Sequence, residues 1–434
     1  MRETTCSIVA VFIVFGALGP ASAQGPSVVK LLKQADQLAR ETSRLRGLRR
    51  RRPISMGVVT RKQILQRVRE RLNQDYTDQE IANDSLVLKR LGLLPLALDY
   101  RQAVLDLLTD QIGGFYDPRR QELNIAAWLP LAMQRPALVH EICHALQDQH
   151  FRLKRFVVPL KENSDRQLAQ AALVEGDCSG VMIEHLLLPT GRELGMLGPV
   201  IERFARGLVG GQGSSVFRKA SPFLREVLTF PYLYGLKFIQ HLRAKHRWSM
   251  VDKVFARPPT TTEQIMHPQK YHAAEQPILV RVGATPKGFA LIKRDTLGEF
   301  QLMLLLKLKL GADSAHQAVA GWGGDRLAAY LPEGVKDGTL PMILMLSVWD
   351  SEQDAQQFET AQRKLFVGRV GRLQPSVAPS DTLVDAEGRY WRVVRRKNAV
   401  LSIIGAPSGS LADLEPAVWK TWRIGAHSAE RSTR

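Results

Sequence analysis

The sequence predicts an α+β fold in which a mostly helical part is followed by a smaller part that mixes strands and helices. Apolar residues recur at helical spacing in four early segments, residues 27–48, 61–74, 78–92 and 98–112. After about residue 280, strand-like stretches occur at 340–349, 390–394 and 399–404, with a helical stretch at 351–364. Parallel βαβ alternation is absent, which favours the α+β class over α/β. We therefore expect two folded domains, residues 61–280 and 281–434.

The first 23 residues have the tripartite pattern of a secretory signal peptide. Arg2 gives a short basic start, residues 7–18 form an almost unbroken apolar run, and small residues precede Gln24. The apolar run is too short to span a bilayer comfortably, so a membrane anchor is the weaker alternative. No later segment of the sequence has the length and hydropathy of a membrane helix. We expect cleavage after Ala23 and export of the mature chain, either to a periplasm or to the medium.

The mature chain is strongly basic, because the formal net charge of +18 does not depend on the signal peptide. Such a charge favours anionic surroundings, including the surface of a cell envelope or acidic substrates. No nucleic-acid-binding motif accompanies it. Residues 24–60 form a basic N-terminal segment whose one dense run, residues 49–52, is all arginine. This run is typical of a solvated face or a linker, and a processing site is the alternative.

A hairpin and two long helices are expected in the centre of the helical part. Two short apolar stretches, residues 113–118 and 123–126, predict the hairpin. The first helix is expected to begin near Pro136, which suits a first-turn position, and to end near Phe151. The second is expected over residues 164–187.

His140, Glu141 and His144 stand on the first of these helices in the pattern His-Glu-x-x-His. Histidines four residues apart lie on one helix face, one turn apart, so both imidazoles can reach one zinc ion. Zinc lowers the pKa of a water that it coordinates, and Glu141 can take the proton as this water attacks a carbonyl. Apolar neighbours such as Leu138 and Ile142 place the pattern on a partly buried helix. We therefore expect Zn²⁺ as the cofactor and Glu141 as the general base.

Glu175, inside the next long helix, is the expected third ligand. A carboxylate among small and apolar residues is costly unless a charged partner satisfies it, and zinc would do so. Asp177 could accept a hydrogen bond from a ligand imidazole and fix its orientation. His150 is the rival ligand, because it follows His144 by six residues, as in a three-histidine variant of the motif. Glu175 is favoured, since that variant has a glycine where Gln147 stands and six helical residues rise by about 9 Å.

Together these residues resemble the gluzincin branch of zinc metallopeptidases, in which two histidines and a downstream glutamate hold the metal. The stretches that carry this resemblance are 140–151 and 174–177. Four further stretches are similar to a set of largely uncharacterised exported bacterial proteins of that kind: residues 113–118, 230–235, 258–268 and 321–326. The resemblance implies a bacterial protein whose zincin-like catalytic domain is mostly helical, with a short edge hairpin.

The resemblance also implies further functional groups. Gluzincins add a tyrosine or histidine that stabilises the oxyanion, and Tyr232, Tyr234 and His267 are the candidates. The alternative roles are aromatic core packing for the tyrosines and a turn before Pro268 for His267. In such enzymes an edge strand near the motif helix pairs with an extended peptide. Residues 121–127 are the candidate strand, and an ordinary hairpin arm is the alternative.

Cys143 and Cys178 remain after signal cleavage, and each lies within three residues of a predicted zinc ligand. They could form a disulfide that ties the two ligand helices together, or they could be two small buried residues. The expected function is zinc-dependent hydrolysis of peptide bonds in a peptide or protein substrate. The alternative is an exported basic binding or structural protein in which a cysteine completes a non-catalytic zinc site.

Overall fold

The computed structural model describes residues 34–129, 131–198, 200–202, 214–370 and 382–425. The predicted signal peptide, residues 1–23, lies outside the described residues. Within the described ranges, no helix has both the length and the apolar character needed to cross a membrane. Helices dominate up to residue 272 and most strands follow residue 279, so the predicted α+β class is confirmed. The boundaries of the two expected domains remain predictions.

The four early helices are present, and the first is described from residue 35 onward. Thr60 and Thr77 begin the second and third of them with capping boxes, in which each threonine side chain accepts a hydrogen bond from a backbone N–H three residues on. The helices described in this part are α1 (Ala35–Arg46), α2 (Arg61–Asp75), α3 (Asp78–Leu91), α4 (Tyr100–Gln111), α5 (Leu131–Phe151), α6 (Lys154–Val157), α7 (Ser164–Leu187), α8 (Ser215–Lys219), α9 (Pro222–Arg243), α10 (Trp248–Ala256), α11 (Thr262–Met266) and α12 (Pro268–His272).

The helix α5 begins earlier than the sequence predicts. It starts at Leu131, so Pro136 lies inside the helix rather than in its first turn. A proline there removes one backbone hydrogen bond, and the helix nevertheless continues to Phe151. Gln134 also holds the start of the helix, since its Nε2 donates to the buried Leu129 carbonyl at 2.8 Å.

A small sheet packs against α5. Its strands are β1 (Ser55–Val59), β2 (Gly114–Asp117) and β3 (Glu122–Ala126), in the order β1-β3-β2. The predicted hairpin is present as β2 and β3, which pair antiparallel. Of the two roles that the sequence left open for residues 121–127, the structure has the ordinary hairpin arm, because β1 pairs with β3 in parallel on its other side. The edge strand of the hairpin is therefore β2.

The second part of the chain is built on a six-stranded antiparallel sheet of order β5-β6-β7-β10-β9-β8. Residues alternate between two cores, so that Ile343 and Met345 face one core while Leu344 and Leu346 face the other. This two-sided burial explains why β7 reads as a continuous apolar run. The elements described here are β4 (Leu279–Arg281), β5 (Phe289–Asp295), α13 (Gly298–Leu310), α14 (Ala312–Val319), β6 (Trp322–Pro332), β7 (Met342–Trp349), α15 (Glu352–Val370), β8 (Leu383–Val384), β9 (Tyr390–Arg396), β10 (Ala399–Ala406), α16 (Leu411–Thr421) and β11 (Arg423–Gly425).

A buried carboxylate fixes the start of α7 against this second part. Asp165 accepts hydrogen bonds from the backbone N–H (2.8 Å) and the hydroxyl of Thr262. Gly298, at the start of α13, packs on the same carboxylate in a left-handed conformation (φ 73°), which suits glycine because a Cβ would collide there. Ser164 N–H donates to Asp295 at 2.9 Å. The orientation of α7, which carries Glu175, therefore depends on both parts of the chain.

Candidate metal centre

Three side chains converge where α5 and α7 pack together. His140 Nε2 lies 3.1 Å from Glu175 Oε2 and 3.0 Å from His144 Nε2, and His144 Nε2 lies 3.4 Å from the same carboxylate oxygen. All three side chains are buried. The predicted ligand set is therefore one cluster, formed by one face of α5 and one turn of α7.

The spacing and chemistry of these atoms suit a zinc ion. Zinc bonds to nitrogen and oxygen at about 2.0–2.2 Å with tetrahedral geometry, which keeps the ligand atoms about 3.3 Å apart. The separations of 3.0–3.4 Å in the cluster match that value. Two imidazoles and a carboxylate are also the donor set of several catalytic zinc sites, which keep a fourth position open.

The electrostatics of the cluster favour a positive charge at its centre. Burial disfavours the charged form of each group, and it lowers the pKa of His140. For His144 the Glu175 carboxylate outweighs burial and raises the pKa. The nearby histidines likewise outweigh burial and hold the pKa of Glu175 below its ordinary value. A bound cation would supply the charge that the carboxylate attracts.

Glu141 lies beside the cluster without a cationic side chain from the described residues as its partner, and the backbone amide of Tyr116 is near its carboxylate. It is fully buried, and among the described residues neither of its carboxylate oxygens has a hydrogen-bond partner. Burial raises the pKa of Glu141 to about 8, although the charge on His144 and the backbone amide of Tyr116 oppose the rise. A buried carboxylate left unpartnered in this way is costly, which points to a ligand or a proton as its partner.

The free edge of β2 faces Glu141. The Ala126 N–H donates to the Gly113 carbonyl at 2.9 Å, which makes these two residues a bonded pair of the hairpin ladder. Bonded and non-bonded pairs alternate, so the backbone groups of Gly114 and Tyr116 point away from β3. A Cβ at Gly114 would lie 3.3 Å from Glu141 Cγ, and glycine leaves room for close approach to that carboxylate.

The orientation of His144 is set by a glutamine that the sequence did not single out. His144 Nδ1 lies 2.9 Å from Gln147 Oε1, and Gln147 Nε2 donates to Asp177 Oδ2 at 2.8 Å. The expectation that Asp177 contacts a ligand imidazole is therefore wrong, because Gln147 stands between them. The available signal was the position of a polar residue three places after His144, on the same face of a buried helix.

A fully buried arginine extends this chain of polar contacts. Arg46, at the end of α1, donates from Nε to Asp177 Oδ1 at 2.7 Å, and neither side chain is exposed. Its Nη2 pairs with Asp252 Oδ1 at 2.8 Å, and its guanidinium lies 4.9 Å from the Trp248 ring. The basic N-terminal segment thus contributes a counter-charge close to the metal cluster. No local pattern predicts this contact, since Arg46 and Asp177 are 131 residues apart.

Tyr232 is the oxyanion candidate that lies next to a predicted ligand. Its ring stacks beside the His140 ring, with centroids 6.3 Å apart and an interplanar angle of 29°. The helix that carries it, α9, crosses α7 at Gly176 and Gly235, where a Cβ on either glycine would overlap the backbone of the other helix. This close crossing brings Tyr232 within reach of the cluster.

The other sequence-predicted residues lie elsewhere. Tyr234 packs between Phe230 (4.9 Å between centroids) and Phe300 (5.8 Å), as its alternative role in an aromatic core expected. His267 lies between α11 and α12 with its Nε2 2.9 Å from Glu299 Oε1. Neither residue contacts the cluster in the described hydrogen bonds, ion pairs or ring contacts.

His150, the rival ligand, points away from the cluster. It donates from Nε2 to the Arg49 carbonyl at 2.8 Å. The arginine run lies along this end of α5, because Arg51 Nη1 donates to the Gln149 carbonyl at 2.9 Å and Arg52 pairs with Asp148 at 3.2 Å. Cations at the C-terminal end of a helix interact favourably with its dipole.

Cys143 and Cys178 form a disulfide between α5 and α7, with Cα atoms 5.4 Å apart. Of the two possibilities that the sequence left open, the structure has the disulfide. Both residues are fully buried, and Cys178 Sγ lies 3.4 Å from His144 Nδ1. The bond therefore joins the two ligand helices next to the ligands themselves.

A second cluster of carboxylates surrounds a lysine rather than an empty space. Glu263, Glu275 and Asp350 lie within hydrogen-bond distance of Lys270 Nζ, at 2.6, 2.9 and 2.8 Å. The ammonium group supplies the positive charge that these carboxylates need, so this cluster is a structural ion-pair network.

Comparison with known protein families gives a match in the second part of the chain. The profile of a domain of unknown function (DUF8575) matches residues 289–415. This stretch begins at β5, contains the six-stranded sheet and ends within α16. It includes none of the residues of the candidate metal centre. No curated protein and no solved structure matches the chain.

Proposed function

We propose that this protein is an exported zinc-dependent hydrolase that cleaves peptide bonds. The observation that carries the proposal is the triangle of His140, His144 and Glu175 ligand atoms at zinc-like separations, with an unpartnered buried carboxylate beside it. A site built only to hold a structural metal has no use for Glu141. The gluzincin-like order of these residues supports the same reading.

The residues of the site have distinct tasks in this proposal. Zinc, when bound by His140, His144 and Glu175, supplies a Lewis acid that polarises the scissile carbonyl and acidifies water. Glu141 takes a proton from the attacking water, whose oxygen bonds to the carbonyl carbon, and passes the proton to the leaving nitrogen as the C–N bond breaks. Tyr232 is the proposed donor to the oxyanion.

The free edge of β2 is the proposed docking strand for an extended peptide. The outward backbone groups of Gly114 and the Tyr116 carbonyl can bond to a substrate strand, and the Tyr116 amide of the same edge is near Glu141. The Tyr116 side chain is fixed to α5, because its hydroxyl donates to Asp148 at 2.9 Å.

The alternative function, a structural zinc site closed by a cysteine, is less well supported. The cysteines near the cluster, Cys143 and Cys178, are joined to each other, so neither offers a thiolate to a metal. A buried disulfide also agrees with an oxidising compartment and hence with export. The high positive charge supports contact with an anionic cell-envelope surface as a further partner.

The test compares the mature chain with Glu141→Gln, which keeps the three ligands and removes the base. Zinc content and cleavage of a broad peptide library are measured, with Glu352→Gln, an exposed glutamate at the start of α15, as the matched control. We expect about one zinc in each protein and activity in all but Glu141→Gln. Zinc without cleavage in any of them would favour the structural alternative, and absence of zinc from all of them would refute the proposal.

A further inference from the structure

An apolar channel runs from the candidate metal centre between the helices α3, α4, α7 and α9. Glu175 and Tyr232 line one end, and the far end reaches β5 and the start of α13. The wall between the ends is almost entirely aliphatic or aromatic. Its residues from the four helices include Val87, Leu88, Leu91, Val104, Leu107, Leu108, Leu168, Ala171, Phe223, Val227 and Leu228.

The channel is long and narrow because it follows two parallel helices. On α7 the lining residues Ser164, Leu168, Ala171 and Glu175 recur at helical spacing, so they form one stripe. Eleven residues of helix rise by about 16 Å. On α9 a stripe from Phe223 to Tyr232 runs beside it in the same direction, as contacts between Gly176 and Gly235 and between Gly180 and Ile239 require.

The polar groups at the far end are already paired with one another. Lys293 forms an ion pair with Asp84, and Asp295 accepts the Ser164 backbone N–H at 2.9 Å. Gln301 Nε2 donates to the Ser164 hydroxyl at 2.7 Å. The charged and polar groups at this end of the channel are thus bonded to one another, and the aliphatic wall in front of them is suited to an apolar ligand.

We propose that this channel binds a linear acyl chain of about twelve carbons, carried by the peptide substrate of the metal centre. Its length of about 16 Å is close to half of the ~30 Å hydrocarbon thickness of a bilayer, which is the reach of one acyl chain. A pocket for one amino-acid side chain needs no such depth. Because Glu175 and Tyr232 line the end of the channel at the metal centre, the scissile bond would lie next to the carbonyl end of the chain. The inference rests on the proposed function for the bond that is cut, but binding of the chain does not.

The first experiment measures binding of saturated fatty acid anions of six to eighteen carbons to the zinc-loaded Glu141→Gln protein. Each buried methylene should tighten binding roughly fourfold up to about twelve carbons, after which affinity should level off. A series that levels off at or below eight carbons would identify a side-chain pocket and overturn the proposal. Affinity that does not depend on chain length would overturn it as well.

The second experiment fills the channel. Val227→Trp places an indole halfway along it, and Leu233→Trp is the matched control on the same helix, since Leu233 packs on the core without lining the channel. We expect Val227→Trp to weaken dodecanoate binding at least tenfold and Leu233→Trp to leave it unchanged, with equal circular dichroism spectra. Equal effects of the two variants would contradict the proposal. If Val227→Trp does not fold, the chain-length series on the Glu141→Gln protein decides.

A third measurement separates this inference from the proposed function. N-dodecanoyl and N-acetyl forms of one peptide are offered to the active protein, and the acylated form should have the lower KM. Length-dependent binding of fatty acids without cleavage of either peptide would keep the channel and refute the peptidase. Cleavage of both with equal KM, and no fatty acid binding, would refute the channel and keep the peptidase.

Discussion

Replacement of Arg46 by methionine should destabilise the protein strongly, because Arg46 is the buried counter-charge of Asp177. The two side chains are fully buried and joined at 2.7 Å. Methionine keeps an apolar stem of similar length, so the variant isolates the loss of the guanidinium. Asp177 would keep its hydrogen bond from Gln147 but would lose its neutralising charge.

The expected loss in the free energy of unfolding is about 3–5 kcal/mol, the cost of removing one partner of a buried ion pair. Coulomb attraction gives the same range, since two charges about 4 Å apart attract by about 4 kcal/mol at an effective dielectric constant of 20. The second partner, Asp252, adds little because its side chain is 36% exposed and keeps contact with water.

The assay is urea unfolding of the zinc-free protein, followed by circular dichroism, for the parent, Arg46→Met, Asp177→Asn and the double variant. The double variant should recover most of the loss, because it removes the unpaired charge. Arg40→Met is the control on the same helix. Arg40 and its partner Asp36 are both more than half exposed, so its cost should stay below about 1 kcal/mol. A cost of that size for Arg46→Met, or strict additivity of the two substitutions, would refute the reasoning.

Three further predictions concern the surroundings of the metal cluster. Replacement of both disulfide cysteines by serine should lower the free energy of unfolding by about 3–4 kcal/mol, because the bond closes a loop of 35 residues. Urea unfolding of the parent and of this variant, with and without reductant, checks the prediction. Equal unfolding midpoints of the two proteins without reductant would contradict it. Gln147→Leu should weaken zinc binding about 10- to 100-fold, because the imidazole of His144 would lose the partner that orients it. Competition with a chelator measures this affinity. The control is Gln149→Leu, which should leave the affinity unchanged because Gln149 is more exposed and does not contact a ligand. The Glu299 hydrogen bond raises the pKa of His267, so the ion pair stabilises the fold fully below pH about 6.5 and loses this effect as the pH rises through the folded-state pKa. The stability difference between the parent and His267→Gln should therefore shrink from pH 6 to pH 8.5, and a constant difference would exclude this ion pair.

The sequence predicts those parts of the molecule that depend on local periodicity. The early helices, three strands of the second part (β7, β9 and β10) and the two histidines of the ligand cluster follow from spacings of two, three or four residues along the chain. Glu175 is predicted on a different ground, because a carboxylate in an apolar helix needs a charged partner. Each of these features is encoded by a short run of neighbouring residues, so a single sequence is sufficient to recognise it.

The features that the sequence did not predict arise from contacts between distant segments. A parallel partner for β3 comes from β1, more than sixty residues upstream, so the edge of the sheet could not be assigned from the hairpin alone. The choice of Tyr232 over Tyr234 depends on where α9 crosses α7, and that crossing is set by Gly176 and Gly235 in different helices. The contact of Gln147 with Asp177 likewise depends on the packing of α5 on α7.

The docking of the arginine run on the end of α5 determines what proteolysis in that run would produce. A protease that cuts between residues 49 and 52 would leave α1 on the N-terminal fragment and β1 on the other. Helix α1 would stay bound, because Arg46 remains inside the protein with Asp177 and Leu38 and Ala39 remain in the core. The product would be a nicked two-chain protein that migrates as two bands only after denaturation. Maturation at this site would thus change the connectivity of the chain and leave the metal cluster as it is.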